Sequence, residues 1–243
     1  MIDREALKIS ARQSMSGKKP SVFLVAALYI AIFTILIGLV SALAGYDKFL
    51  AGLQRILLVT PLPTYGELLA VLPSLPLAAG ILILAILAVK LVLDVGYMGY
   101  CLKISRNEEA ESGTIFDGFG LFLKIIWLEI LQLVFISLWS LLFLLPGIAA
   151  YYRYRLAFYI LLDNREAGPL ECIRASKRMM DGYKTELFFL DLSFLGWYFV
   201  DVAVRAMVVL RLFSVWLFPY MGVTRAGFYN LLIAESAPAE EPE

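Results

Sequence analysis

Histidine is absent from this sequence of 243 residues. Its absence removes the side chain that proteins most often use as a general base and as a metal ligand. The chain has only two cysteines, Cys101 and Cys172. We expect both on the cytoplasmic side of a membrane, where thiols stay reduced. We therefore predict no structural disulfide, no metal site and no cofactor.

Net charge and enzyme motifs are also lacking. The chain has 21 lysines and arginines and 21 aspartates and glutamates. Its net charge is therefore zero and does not predict binding to nucleic acid. The chain has no HExxH metal pair, no G-x-S-x-G nucleophile turn and no phosphate-binding Walker loop. Asp94 in LVLDVGY and Asp191 in FFLDLSF lack the glycine-aspartate motif of intramembrane aspartyl proteases. The sequence predicts that this protein is not an enzyme.

Apolar residues are what the chain has in excess. They make up 61% of it, with a mean hydropathy of +0.80, against about 45–50% in soluble domains. A helix crosses the hydrocarbon core with about 20 such residues. The sequence predicts an all-α, polytopic membrane bundle of about six transmembrane helices. The predicted spans are residues 21–44, 75–102, 121–145, 148–162, 187–204 and 212–233, followed by a disordered acidic tail at 234–243.

The distribution of lysine and arginine predicts the orientation. Five precede the first span, two follow the second and five lie between the fourth and fifth, twelve in all against four on the opposite side. Because cytoplasmic loops carry the excess of basic residues, we expect both termini in the cytoplasm. The predicted location is the cell (plasma) membrane, crossed several times.

Two cytoplasmic segments have the pattern of amphipathic interfacial helices, residues 1–20 and 168–184. In the second, Pro169 suits a first helical position and Glu171 suits the first turn. This helix could lie on an anionic leaflet or pack against its neighbours, and the sequence leaves both open. The predicted partners are the lipid bilayer and anionic lipid head groups, and the membrane-surface residues would be Arg174, Lys177, Arg178 and Lys184.

Charges within the predicted spans need partners, because each costs about 2.5–3.5 kcal/mol at the centre of a membrane helix. Two pairs are four residues apart on one helix and predict local ion pairs: Lys90 with Asp94 and Asp201 with Arg205. The others have no such neighbour and predict a buried network across helices: Glu129, Arg153, Arg155, Asp191 and Arg225. Within it we expect Glu129 and Asp191 to pair with Arg155 and Arg225.

Several blocks of the sequence, taken in order, resemble one family. They are REALKISARQSMSG near the N-terminus, LPGIAAYYRYRLAFYILLDN (145–164), ECIRASKRMMDGYK (171–184), FFLDLSFLGW (188–197) and PYMGVTRAGFYNLL (219–232). In these blocks the chain is similar to the bacterial integral membrane family called domain of unknown function 975. The resemblance implies a membrane protein without an assigned activity, and it supplies no catalytic residue.

Two functions fit these features, and the sequence favours the first of them, a structural or regulatory bundle, with the second as the alternative. A structural or regulatory bundle without enzymatic activity requires the buried charges to pair with one another. A transporter or lipid-handling protein requires them to line a cavity as a polar site. The arrangement of the charges in three dimensions distinguishes the two.

Overall fold

A computed structural model describes residues 2–18, 21–59, 76–204 and 212–236, with 64, 66 and 72 between them. In these residues the chain is helical, without strands, which confirms the all-α prediction there. The helices are α1 (Arg4–Met15), α2 (Val22–Leu43), α3 (Tyr46–Val59), α4 (Leu77–Ser105), a 3₁₀ helix (Ser112–Leu121), α5 (Phe122–Leu142), α6 (Leu144–Tyr154), α7 (Ala157–Asp163), α8 (Pro169–Met179), α9 (Lys184–Val204) and α10 (Leu212–Ser236).

Three described segments are long and apolar enough to cross a membrane: Val22–Leu43, Leu77–Ser105 and Ser112–Leu142. They coincide with the first three predicted spans. Many of their large apolar side chains lie on the protein surface, including Leu84 at 68% exposure and Leu141 at 86%. Helices that expose this much apolar surface are suited to lipid and not to water. The chain is therefore a helical membrane protein.

The chain divides into two compact units, one of residues 30–91 and one of residues 1–29 with 92–243. In the first unit, the Lys90 ammonium lies 4.7 Å from the centre of the Phe33 ring. The second unit contains α1, the 3₁₀ helix and α5 to α10. It also contains most of the buried side chains and the polar groups considered below.

The N-terminal helix α1 packs against α9 and α10 of the second unit. Leu7 is buried beside Gly227 of α10, where a side chain at the glycine would lie 3.1 Å from a methyl group of Leu7. The Lys8 ammonium lies 4.7 Å from the centre of the Phe194 ring. Burial lowers the pKa of Lys8, and the nearby Arg12 and Arg4 lower it further. The apolar face of α1 thus contacts protein.

The boundary between the predicted spans 121–145 and 148–162 lies at Phe143 in the structure. Helix α5 ends at Leu142, Phe143 adopts an extended backbone, and α6 begins at Leu144. Pro146 falls in the first turn of α6, where its missing N–H leaves no helical hydrogen bond unmade. Gly147 packs directly on Ser140 of α5, with no space for a side chain. The absence of a side chain at Gly147 lets α6 fold back closely along α5.

The predicted fourth span, residues 148–162, is interrupted in the structure. The structure has two short helices there, α6 and α7, because the helix ends at Tyr154 and restarts at Ala157. The physical reason lies in α8, whose Ser176 forms hydrogen bonds with backbone groups on both sides of the break.

Other boundaries differ less. Helix α8 occupies Pro169–Met179 inside the predicted segment 168–184. Helix α10 continues to Ser236, so the first residues of the predicted tail 234–243 are helical. Residues 237–243 lie outside the described chain, as do Arg205 and the side chain of Asp201. The predicted Asp201–Arg205 pair therefore lies outside the described residues.

Two glycines bring α4 and the 3₁₀ helix into close contact. A side chain at Gly96 would overlap the backbone carbonyl of Ile115, and one at Gly118 would lie 2.5 Å from the carbonyl oxygen of Val92. Gly99, one turn further along α4, has only the methyl groups of Leu162 nearby, the nearest at 3.5 Å. Small residues allow such backbone contacts between membrane helices.

We predict that Gly96→Ala or Gly118→Ala lowers the free energy of unfolding by about 1–3 kcal/mol, because the added methyl group has no space against a rigid backbone. Gly99→Ala serves as the matched control and should be neutral or slightly stabilising, since alanine favours the helix. Thermal unfolding in mild detergent measures the difference. Equal stability of the Gly96 and Gly99 variants would contradict this packing.

Candidate functional site: a charged cavity in the helix bundle

The second unit contains a cavity of about 500 Å³. Four charged side chains line it: Asp94 from α4, Arg155 from the break between α6 and α7, Asp191 from α9 and Arg225 from α10. Tyrosines form part of the wall, and the rest is mostly apolar, with Leu195, Leu217 and Met221 among its residues. Ligand sites in proteins have volumes of about 300–1,000 Å³ and this mixture of apolar and polar groups.

An ion pair joins α9 and α10 at the cavity. Nε of Arg225 donates a hydrogen bond to Oδ1 of Asp191 over 2.8 Å. The side chains are 25% and 14% exposed, so the pair is largely shielded from solvent. The sequence predicted that these two charges form part of a network across helices, and the structure contains this pair.

Asp94 has a partner that the sequence did not indicate. Its carboxylate accepts a hydrogen bond of 2.8 Å from the hydroxyl of Tyr29. The Tyr29 ring stacks on Tyr97, with ring centres 4.3 Å apart. Tyr29 lies 65 residues from Asp94 in the chain, so spacing along one helix cannot reveal the contact. The local pair of Lys90 with Asp94 stays a prediction.

Arg155 contacts an aromatic ring. Its guanidinium lies 5.2 Å from the centre of the Tyr151 ring. Among the described residues, no carboxylate oxygen lies within 4.0 Å of it. The predicted pairing of Arg155 with Glu129 or Asp191 is thus not observed in that part of the chain. Arg155 brings a positive charge to the cavity wall without a carboxylate beside it.

Glu129 and Arg153, the other two members of the predicted network, do not line the cavity. The guanidinium of Arg153 lies 6.0 Å from the centre of the Trp139 ring on α5. Arg153 and Arg155 are only two residues apart, but they lie in different surroundings. Arg153 lies in the last turn of α6, whereas Arg155 lies in the break after it, so the two charges can serve different purposes.

Ser176 fixes the backbone that carries Arg155. Its hydroxyl donates to the carbonyl oxygen of Arg153 over 2.9 Å and accepts from the N–H of Leu156 over 3.2 Å. Ser176 is fully buried. These bonds satisfy a carbonyl and an N–H next to the interrupted helix, which would otherwise be costly inside the protein. The sequence does not indicate this role, because Ser176 lies in a segment with the pattern of an interfacial helix.

A second polar cluster joins α4, α7 and α10. Two guanidinium nitrogens of Arg106 donate to the two carboxylate oxygens of Asp163, over 2.8 and 2.7 Å. Tyr229 donates to Asp163 over 2.9 Å, and Asn230 accepts from Arg106 over 3.0 Å. The hydrogen bonds to Asp163 raise the pKa of Arg106. The sequence indicated Arg106 only as one of the cytoplasmic basic residues.

Helix α8 packs on its neighbours through its apolar face. Cys172, Ile173 and Ser176 are buried there. Burial raises the pKa of the Cys172 thiol to about 11, so it is neutral and weakly nucleophilic near pH 7. The predicted membrane-surface residues remain outside this contact. Arg174, Lys177 and Arg178 are exposed, and Lys184 pairs with Asp181 over 3.1 Å.

These features describe a helical membrane protein with a cavity lined by charged side chains. Among known families, the sequence model described as "Protein of unknown function (DUF975)" matches residues 143–236. That stretch begins at Phe143 and contains α6 to α10, and with them Arg155, Asp191 and Arg225. The resemblance is confirmed there, while the N-terminal REALKISARQSMSG lies outside the match. No curated protein and no solved structure matches the chain.

We predict that the Asp191–Arg225 pair stabilises the fold as a unit. Asp191→Asn or Arg225→Gln alone should lower the free energy of unfolding by roughly 3–5 kcal/mol, because each leaves a shielded charge unpaired. The double variant should lose less than the sum of the two. Asp181→Asn, at the exposed Lys184 pair, is the control and should cost under about 1 kcal/mol. Additive losses in thermal unfolding would show that the pair is not coupled.

Proposed function

We propose that the protein crosses the cell membrane six times, with both termini in the cytoplasm. Helices α6 and α7 together would form the fourth span, and α9 and α10 the fifth and sixth. The lengths of α9 and α10, 21 and 25 residues, support this, since about 20 residues cross the hydrocarbon core. The basic residues of the predicted cytoplasmic segments support the orientation. The resemblance to a bacterial family supports a bacterial cytoplasmic membrane.

Within that membrane we propose a lipid-handling protein without enzymatic activity, which holds the polar part of an amphiphile in the cavity. The observation that carries this proposal is a cavity of about 500 Å³ whose wall combines Arg155 with apolar side chains. Such a wall suits a ligand with a charged head and an apolar tail. A purely structural bundle does not require an open volume beside these charges, so the cavity favours lipid handling.

The exposed basic residues of α8 add a surface for the same kind of partner. Arg174, Lys177 and Arg178 project from a helix whose apolar face is occupied by protein. Each basic residue near an anionic leaflet contributes about 1 kcal/mol of attraction. We propose that α8 faces the anionic head groups of the inner leaflet through these three side chains.

The six-span topology predicts which side of the cell labels single cysteines. In a background without Cys101 and Cys172, cysteines at Thr64 and Phe143 should react with an impermeant maleimide on intact cells. One at Glu166 should react only after the membrane is opened, because it would lie in the cytoplasm. All three positions have exposed side chains.

A cysteine at Val208, outside the described residues, completes this test. It should be labelled from outside if α9 and α10 both cross the membrane. Labelling of Glu166 and Val208 from the same side would contradict a crossing by α9.

The cavity proposal predicts that filling the cavity reduces lipid binding. Leu195→Trp adds a large side chain to the wall, whereas Leu192→Trp adds the same group to the same helix outside it. The two leucines are similarly exposed, at 43% and 44%, so the control is closely matched. Native mass spectrometry in mild detergent should show much less retained lipid for the Leu195 variant. Equal retention by both variants would argue against the cavity as the binding site.

A further inference from the structure

The charges of the cavity differ in their availability to a ligand. Arg225 and Asp191 neutralise each other over 2.8 Å. Asp94 is engaged by the Tyr29 hydroxyl. Arg155 has no carboxylate within 4.0 Å among the described residues. The positive charge available to a bound molecule is therefore that of Arg155.

We infer that Arg155 recognises a singly charged phosphate-type group of the ligand, an inference that rests on the proposed lipid-handling function. A guanidinium carries five N–H donors in a planar fork that matches the oxygens of phosphate groups. The apolar residues on the same wall, Leu195, Leu217 and Met221, suit acyl chains. The ligand that fits both features is a phospholipid, which has a phosphodiester head group and acyl chains in one molecule.

The rest of the cavity limits the charge of that group. Asp94 and Asp191 also line the cavity, and their carboxylates repel a second negative charge, Asp191 even while it is paired with Arg225. A phosphodiester carries one negative charge, whereas a phosphomonoester carries nearly two at pH 7. The geometry thus favours a phosphodiester over a phosphomonoester on the same chains.

Ser176 acts on the ligand only through Arg155. Its two hydrogen bonds hold the interrupted backbone immediately before and after that residue. A binding group must be held in place by its surroundings to bind with full strength. Ser176 is therefore a positioning residue. Ser176→Ala should weaken the preference for anionic lipid while leaving the Arg155 charge in place.

The test compares lipids of equal chains that differ in the head group. Purified full-length protein in mild detergent is titrated with a phosphatidylglycerol, the matching phosphatidic acid and the matching diacylglycerol, and binding is followed by native mass spectrometry. The unmodified protein should bind phosphatidylglycerol about tenfold or more tightly than diacylglycerol, because only the phosphodiester can accept charged hydrogen bonds from Arg155. Its affinity for phosphatidic acid should be lower than for phosphatidylglycerol.

Substitutions at Arg155 test whether this residue causes the preference for phosphatidylglycerol over diacylglycerol. Arg155→Gln should abolish it, and Arg153→Gln, two residues away and outside the cavity wall, should leave it unchanged. Arg155→Lys keeps the charge without the planar fork and should keep a reduced preference, so it tests the inference even if Arg155→Gln fails to fold. Retention of the full preference by Arg155→Gln would overturn the role of Arg155 and leave the lipid-handling function standing.

Two further outcomes separate the inference from the function it rests on. If the unmodified protein binds none of the three lipids, the lipid-handling function itself fails. An excess of inorganic phosphate should not displace phosphatidylglycerol, because the apolar wall contributes to lipid binding. Displacement at concentrations close to those of the lipid would identify a soluble anion as the ligand and overturn the assignment to lipid.

Discussion

The hydroxyl of Ser176 holds the arrangement on which the cavity depends. A helix interrupted inside a bundle leaves backbone N–H and C=O groups without helical partners, and these must be satisfied within the protein. Ser176 supplies a donor and an acceptor at the same break, to the carbonyl of Arg153 and from the N–H of Leu156. Arg155 lies within this break. A buried serine on α8 therefore supports the backbone that carries the available positive charge of the cavity.

The two ion-pair clusters stabilise the helices around that break. Arg225 and Asp191 join α10 to α9, and Arg106 and Asp163 join the end of α4 to α7. Tyr229 adds α10 to the second cluster through its hydrogen bond to Asp163. Helix α10 thus takes part in both clusters. The paired charges provide the rigid surroundings that a binding residue such as Arg155 needs.

Much of the helical fold was predictable because length and hydropathy directly limit what a membrane helix can be. The first three spans follow from those two properties, and the position of α8 follows from its amphipathic pattern and its helix-start residues Pro169 and Glu171. The break at Arg155 was not predictable, because it depends on Ser176, which lies about 20 residues further along the chain. The same holds for Tyr29 and Asp94, which are 65 residues apart. Spacing within one helix reveals only partners three or four residues away.

The buried charges show why a balanced count does not distinguish a structural network from a binding site. Apart from Lys124, near the start of the third predicted span, the predicted spans contain four basic and four acidic residues, which is compatible with complete pairing. The structure satisfies that balance unevenly, since Arg225 has a carboxylate partner and Arg155 contacts the Tyr151 ring instead. An aromatic ring attracts a cation without neutralising it. Arg155 can therefore remain charged in the bundle and still be available to an anionic ligand, which is the property that separates a binding residue from a structural one.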